Sequence, residues 1–242
     1  MKNYFIFIFF ILAFVYVFIR AALTQTADDI IDRFIAAKSG KDKLNSIHSI
    51  YMEGYLEEMP VEVRVKIAII NGELYRAKYE FQGIESYTVV TPERGWHYTP
   101  ANSEPTEEMR MDEFKCMQTE LDITGPLTDY KSKGQKAVLQ GKEMVDEWEC
   151  YRIQLSSPDG KNSIYFIETQ RYLLRKSIQI VEKFSPVSGE PETVVTNWYS
   201  DYKDFEGVLF PQSITTNSTA TGASSFLFYK IELNIAVDEN VV

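Results

Sequence analysis

The residues most able to do chemistry lie between positions 95 and 113. His97 stands between Trp96 and Tyr98, and five acidic residues follow it: Glu104, Glu107, Glu108, Asp112 and Glu113. A histidine and a carboxylate could act as base and acid in a hydrolase if the fold brought them together. On a strand, however, neighbouring side chains point to opposite faces, and acids at the start of a helix complement its dipole. We therefore favour structural roles for His97 and for the acidic residues.

The remaining sequence offers no familiar catalytic or metal-binding spacing. Its two histidines, His48 and His97, lie far apart, and it contains no Cys-x-x-Cys, Gly-x-Ser-x-Gly or phosphate-binding glycine motif. We therefore predict that the protein is not an enzyme and has no catalytic residues, metal site or cofactor. Two cysteines, Cys116 and Cys150, are too few for a disulfide scaffold. They could pair in an oxidising compartment, but we favour two unpaired thiols.

The N-terminus is typical of an exported protein. Lys2 precedes an apolar run of 16 residues, Tyr4–Ile19, which is followed by Arg20 and by small or polar residues. This pattern predicts a secretory signal peptide over residues 1–25, with an uncleaved membrane anchor as the alternative. The full sequence has a net charge of −10, which disfavours nucleic acids and anionic membrane surfaces as partners. We expect residues 26–242 to form a single domain.

The mature sequence starts with an amphipathic helix. Thr26 is a plausible cap, and Gly40 is placed to end the helix. Four apolar residues recur at helical spacing between them: Ile30, Ile31, Phe34 and Ile35. One apolar side of this kind needs a surface to lie on.

Most of the sequence alternates with a period of two residues, which is typical of strands. Residues 61–70 and 73–81 flank Asn71-Gly72 and predict a hairpin. Further strands are predicted in the segments 84–90, 136–145, 148–155, 162–168, 172–181, 193–202, 207–217 and 225–235. So many successive strands favour an antiparallel meander. Some are apolar on both sides: Phe226 and Phe228 are expected to oppose Leu227, Tyr229 and Ile231. Such a sheet must be covered on both faces or must curve.

A second helix is predicted over residues 104–122. Met109, Cys116 and Met117 recur there at helical spacing, and Met111 adds a further thioether. Methionine-rich surfaces suit ligands of irregular shape such as acyl chains, although ordinary core packing is the alternative.

The order of several segments resembles a known family. They include ADDIIDRFIAAKSGKDKLNSIHSIYMEGYL, GWHYTP, DITGPLTDYKSKGQKAVLQGKEMVD, CYRIQLSSPDGKNSIYFIETQRYLLRK and YSDYKDFEGVLFPQSI. This order is similar to that of the Bacteroidetes outer membrane lipoprotein-sorting proteins, within the wider LolA-like superfamily of periplasmic carriers. The resemblance extends over about residues 26–237. It implies a mainly β (α+β) fold, in which a curved antiparallel sheet forms an incomplete β-barrel and helices cover its hydrophobic concave face.

The resemblance also implies a periplasmic carrier that shields lipids or the acyl chains of lipoproteins. No ligand-contacting residue of the family can be matched to a position here. From the residues themselves we predict that Trp96 and Tyr98 end a strand at the cavity mouth. The helix over 104–122 would close the cavity, with Met109, Phe114 and Met117 facing the ligand. We expect a monomer whose partners are lipid or lipoprotein acyl chains, and which also meets transport components of the inner or outer membrane.

Two competing functions remain. The same half-barrel could be a protein-binding or sensing module, which its acidic surface and its tyrosines would suit equally. A hydrolase that uses His97 or the acidic residues ranks last, because no nucleophile and base are adjacent in the sequence.

Overall fold

The computed structural model describes residues 25–58, 61–100, 102, 104–158, 160–181, 193–219 and 222–237. The predicted signal peptide, residues 1–25, lies outside this part of the chain except for Gln25. Three α-helices are present in the described residues: α1 (Ala27–Lys38), α2 (Lys41–Asn45) and α3 (Met111–Met117). A 3₁₀ helix, Gln118–Leu121, directly follows α3.

Thirteen strands form one antiparallel sheet. They are β1 (Ser49–Glu58), β2 (Val61–Ile70), β3 (Leu74–Phe81), β4 (Ile84–Val90), β5 (Gly95–Tyr98), β6 (Thr106–Glu108), β7 (Lys136–Val145), β8 (Trp148–Ser156), β9 (Asn162–Glu168), β10 (Leu174–Val181), β11 (Thr193–Phe205), β12 (Val208–Ser218) and β13 (Gly222–Leu233). Their order is β6-β5-β4-β3-β2-β1-β13-β12-β11-β10-β9-β8-β7. The sheet is therefore not closed, and β6 and β7 are its two edges.

The sheet is strongly curved. Helix α1 contacts both β12 and β7, which are five strand spacings apart in the sheet. Five spacings would span roughly 24 Å in a flat sheet. The 12 residues of α1 form a helix only about 18 Å long. In the other half, burial raises the pKa values of Tyr75 in β3 and Tyr199 in β11, and the negative charge of Glu120 adds to both shifts. These strands are also five spacings apart, so the sheet must bend to bring them together.

The predicted hairpin is confirmed. Strands β2 and β3 pair from Ile70↔Leu74 to Arg64↔Glu80 around a short turn at Asn71 and Gly72. Gly72 has a φ of 74°, which glycine adopts without steric cost. The other eight predicted strand segments are also strands, with boundaries that differ by a few residues. Local alternation was therefore a sufficient signal for these elements.

The predicted side-chain pattern of β13 is wrong in its second half. A register shift at Glu53 and Gly54 leaves Tyr229 without a paired residue in β1. Ile231 therefore lies on the same face as Phe226 and Phe228. Ile231 is buried, whereas Tyr229 is 55% exposed. Gly54 permits this close approach, because a Cβ there would lie 2.3 Å from the carbonyl oxygen of Leu227. The bulge therefore depends on the partner strand, which alternation within β13 does not reveal.

The first predicted helix is confirmed, including its ends. The Thr26 hydroxyl accepts a hydrogen bond from the Asp29 backbone N–H at 3.1 Å, and the Asp29 carboxylate accepts one from the Thr26 N–H at 2.9 Å. At the other end, the N–H of Gly40 donates to the Ile35 carbonyl at 2.9 Å. Ile30 and Ile31 are buried in the main core.

The second predicted helix, residues 104–122, is too long. Thr106–Glu108 form the edge strand β6, paired with β5. The N–H of Met109 continues this pairing by donating to the carbonyl of Gly95 at 2.9 Å. The α-helix therefore begins only after the extended residue Arg110. The free backbone groups at the edge of β5 are satisfied by this pairing, which outweighs the local helical pattern.

Candidate functional site

The candidate site is the inner face of the sheet, defined here as the face that bears Ile67 and Ile153. Both residues belong to the main core, together with Ile30 and Phe34 of α1. The opposite, outer face bears two smaller clusters, around Ala68 and around Phe166. Since paired residues share a face, the strand register assigns every inward side chain.

One part of the inner face is apolar. This apolar half, on β12–β13 and β1–β3, has buried members such as Ile50, Ile67 and Phe228. It also has members that are only half-buried against the core: Met52, Tyr79, Ile214 and Phe226. The rings of Phe226 and Phe228 stack with centroids 5.7 Å apart. The apolar half therefore presents hydrocarbon surface that solvent still reaches.

A second part of the inner face is polar. The register places five residues side by side on β9–β13, and we call them the polar row: Tyr165, Ser177, Asn197, Thr216 and Ser224. The Ser177 hydroxyl lies 3.0 Å from the hydroxyl of Tyr199, which is on the same face. The Asn197 amide donates to Ser177 at 3.4 Å and accepts from Thr216 at 2.7 Å.

The two sheet edges are joined by a cover segment, residues 109–135, which contains α3 and the 3₁₀ helix. The 3₁₀ helix contacts β2 and β3. The Gly72 N–H donates to the Leu121 carbonyl at 2.8 Å, and the Ile123 N–H donates to the Asn71 side chain at 3.1 Å. The Gln118 amide donates to the Pro92 carbonyl at 2.7 Å. These bonds attach one side of the segment to the β2–β5 half of the sheet.

The other side of the cover segment is attached to the N-terminal helices. Asp28 of α1 accepts hydrogen bonds from Tyr130 and Lys131, and Lys41 forms an ion pair with Asp129. The Tyr130 and Lys131 bonds lower the pKa of Asp28. The cover segment thus bridges α1 and the β2–β5 half.

The structure brings His97 and one predicted acid together. The Nε2 atom of His97 lies 2.8 Å from a carboxylate oxygen of Glu113 on α3, and its Nδ1 atom lies 3.1 Å from the hydroxyl of Thr88. Sequence distance had concealed this contact. Thr88 is a buried strand residue, so its hydroxyl is poorly placed to attack a substrate. The arrangement therefore serves better as a link between β5 and α3 than as a nucleophile and base.

Trp96 and Tyr98 lie on the outer face. His97 pairs with Thr88, and Thr88 pairs with Ala77 of the core, so His97 is on the inner face. Trp96 and Tyr98 are its neighbours in β5 and therefore point to the opposite face. The Trp96 ring packs under the Arg94 guanidinium at 5.9 Å. Tyr98 lines an open depression of about 710 Å³ at the β3–β4 turn, together with Ile84 and Tyr87. Their predicted place at the mouth of the inner cavity therefore does not match the direction of their side chains.

The other three predicted site residues lie on the cover segment. Met109 and Phe114 are buried in the main core, and Met117 is half-buried against it. Met109 packs closely on β5, since a Cβ on Gly95 would lie 2.5 Å from its sulfur. Of the three, Met117 is the one whose side chain solvent partly reaches. Whether these residues contact a ligand stays a prediction.

Two charged residues next to the inner face were not predicted as site residues. Glu120 of the 3₁₀ helix is exposed to solvent, yet the protein around it desolvates the carboxylate and raises its pKa. Lys38 ends α1 with its ammonium group 5.5 Å from the centre of the Phe210 ring. Burial lowers the pKa of Lys38 to about 8, and Asp122 partly offsets this shift. The sequence alone does not mark either residue as part of a site, because a charged residue near a helix end is typical of an exposed surface.

In the described part of the chain, no group of three or more His, Cys, Asp or Glu side chains is placed to hold a metal ion. Both cysteines are free, with Cys150 buried and Cys116 half-buried. No helix within the described ranges is long and apolar enough to span a bilayer.

Comparisons with known proteins identify the fold. No family model matches the sequence, and no curated protein is detectably similar to it. Among solved structures, a LolA superfamily protein from Nitrosomonas europaea is similar with a TM-score of 0.57 and 13% identity, over 90% of this chain and 98% of that one. A DUF1329 family protein from Desulfovibrio piger has the same TM-score and identity, over 89% of this chain and 96% of that one.

A third structure agrees with these two. An outer membrane lipoprotein-sorting protein domain from Vibrio parahaemolyticus is similar with a TM-score of 0.52 and 14% identity, over 88% of this chain and 94% of that one. The chain therefore has a LolA-like fold. At this level of identity the likeness is one of fold, and the narrower resemblance to the Bacteroidetes proteins stays a prediction.

Proposed function

We propose that the protein is a non-enzymatic periplasmic carrier, which holds a lipid or the acyl chains of a lipoprotein against its inner face. The observation that carries this proposal is the half-buried hydrocarbon surface of Met52, Ile214 and Phe226 on the inner face. The LolA-like fold supports it.

Hydrocarbon burial can supply the affinity. Each methylene group moved from water into an apolar site contributes about 0.8 kcal/mol. Ten buried methylene groups would therefore contribute roughly 8 kcal/mol before the costs of association. A ligand of this kind needs a dry, well-shaped surface more than it needs charged anchors.

The helices and the cover segment act as a lid on the concave face in this proposal. The His97–Glu113 link that holds α3 to β5 is largely exposed to solvent, and exposed ion pairs of this type contribute only about 0–1 kcal/mol. This link therefore adds little to the cost of opening the lid. Phe114 and Met117 face the ligand, and we leave Trp96 and Tyr98 out of the cavity because they lie on the outer face.

Native mass spectrometry of the mature protein tests the proposal. The protein would be expressed with its own signal peptide and purified from the periplasm without detergent. We expect a monomer with an added mass that matches a phospholipid or an acylated peptide. A bare protein mass that persists after incubation with lipid vesicles would contradict the carrier function.

Two methionines of α3 provide a matched test of the lid. Met117 is half-buried against the core, whereas Met111, on the same helix, is 60% exposed. Met117→Asp places a charge where the ligand would lie and should abolish the added mass. Met111→Asp should retain it. Equal retention in both variants would show that α3 does not contact the ligand.

A protein-binding or sensing module is the second candidate. The observation that favours it is the open depression lined by Ile84, Tyr87 and Tyr98, since Ile84 is 52% exposed. This function predicts a stable stoichiometric protein partner and no bound lipid. Affinity purification from the periplasm, followed by native mass spectrometry, separates the two candidates. Loss of the partner in a Tyr98→Ala variant would assign it to this depression.

A further inference from the structure

The polar row is unexpected in a cavity for hydrocarbon. Its members continue, strand by strand, the same row that Leu139 and Ile153 occupy on β7 and β8. Sheet formation does not require the change, because the backbone pairing is the same on both sides of it. The polar side chains must therefore be explained by what they contact inside the barrel.

The polar row keeps hydrogen-bonding capacity for a ligand. Asn197 uses an amide hydrogen on Ser177 and its oxygen on Thr216, and that oxygen keeps a second lone pair. The Thr216 oxygen keeps its acceptor lone pairs while it donates. Both residues are partly exposed to solvent, whereas Ser177 is buried. An acyl chain lying on Asn197 and Thr216 would remove their water without replacing its hydrogen bonds, which is unfavourable.

The polar row also lies beside hydrocarbon surface. Thr216 and Ile214 are two residues apart on β12, as are Ser224 and Phe226 on β13, so each pair shares the inner face. Two residues along a strand span roughly 6.7 Å. A ligand with adjacent polar and apolar parts can contact both surfaces at once.

We propose that the polar row binds the hydroxyl- or amide-bearing part of an amphiphile, whose hydrocarbon tail lies along Ile214 and Phe226. This inference rests on the proposed carrier function and names its ligand class. The protein discriminates against purely hydrocarbon ligands of the same length. The polar row is thus a specificity subsite within the cavity.

Three ligands with the same acyl chain test this subsite. Monooleoylglycerol carries two hydroxyls, methyl oleate carries none, and oleate is an anion. Their affinities for the delipidated mature protein would be measured by displacement of Nile red, an uncharged dye. We expect monooleoylglycerol to bind about tenfold more tightly than methyl oleate, the ratio that one or two recovered hydrogen bonds give.

Adjacent threonines on β12 provide the control. Thr216→Val should reduce the preference for monooleoylglycerol to about twofold, because it removes a hydroxyl from the polar row. Thr215→Val removes a hydroxyl from the outer face, where Thr215 bonds Ser225 at 3.0 Å, and should leave the preference unchanged. Asn197→Leu is a second variant that should also reduce the preference for monooleoylglycerol. Thermal unfolding of each variant verifies that it is folded.

The outcomes separate this inference from the proposed function. If the wild type displaces no dye with any of the three ligands, the carrier function fails and the subsite with it. If all three ligands bind with equal affinity, the carrier function stands and the subsite is wrong. The subsite is also wrong if folded Thr216→Val and Asn197→Leu both keep the tenfold preference.

Discussion

The apolar half and the polar row of the inner face are built by the same backbone, but they offer a ligand opposite chemistry. On β2, Val65, Ile67 and Ile69 point inward and are buried. On β11, the inward residues at the same spacing are Val195, Asn197 and Tyr199, and they are half-buried. Both strands alternate with the same period and pair on both sides. The fold therefore sets the backbone of the sheet, and the inward residues set the polarity of its inner face.

This difference explains why likeness of fold is a weak guide to the ligand. A chain that is 13% identical to a LolA superfamily protein can share its sheet while having a different inner face. Inward positions can change from isoleucine to asparagine without breaking a single backbone hydrogen bond. The comparison between the two regions can be tested through the way each contributes to stability.

The largest effect is expected in the apolar half. Ile67 is 4% exposed and packs in the main core. Ile67→Ala should lower the free energy of unfolding by about 2–5 kcal/mol, because it removes buried hydrocarbon and leaves a cavity. Urea denaturation followed by circular dichroism measures this change. A loss below about 1 kcal/mol would mean that the core collapses around the smaller side chain, and would weaken the contrast between the two regions.

A smaller effect is expected in the polar row. Ser177 is fully buried and exchanges hydrogen bonds with Tyr199 and Asn197. Ser177→Ala should lower the free energy of unfolding by about 1 kcal/mol, since Tyr199 and Asn197 are partly exposed and can bond to water instead. The same denaturation series measures it. A loss as large as that of Ile67→Ala would show that the polar row is part of the structural core rather than a surface for ligands.

Sequence alone predicted most of the strands, although not β1 or β6, because their signal is local. Alternation with a period of two is present within each segment, and Asn71-Gly72 marks the hairpin without reference to any other strand. The edge strand β6 was not predicted, because Thr106–Glu108 become a strand only by pairing with β5. The bulge at Tyr229 has the same origin, since it depends on Gly54 of a partner strand. In each case the missing information was which strand lies alongside.

The candidate site follows the same rule. Phe114 and Met117 were placed on a covering helix from local periodicity, whereas Trp96 and Tyr98, which were predicted to end a strand at the cavity mouth, end β5 but alternate with the inward residue His97. The polar row is invisible in the sequence, because its members are spread over residues 165–224 and meet only through strand pairing. Asn197 between Val195 and Tyr199 was the one available hint. A polar residue at an inward position indicates a site only once the inward face is known.

The smallest expected effect concerns Glu120, the acid that lies between the two regions. The surrounding protein raises its pKa above the ordinary value of 4.5, so folding disfavours its charged form. At about pH 3 the carboxyl group is neutral in both the folded and the unfolded chain, and wild type and Glu120→Gln should be equally stable. As the pH rises above 4.5, the unfolded chain releases this proton first, so the wild type loses stability relative to the variant.

The loss ends once the pH exceeds the raised pKa in the folded protein, and the difference then stays constant. Glu120→Gln should therefore be more stable than the wild type at pH 7 and indistinguishable from it at about pH 3. Urea denaturation at several pH values measures the difference. Glu113→Gln is the matched control, because Glu113 is exposed on the same cover segment but contacts His97 instead of facing the tyrosines. If Glu120→Gln is less stable at neutral pH, the carboxylate is stabilised in the folded protein, and the inner face is more favourable to a negative charge than the comparison of its two regions implies.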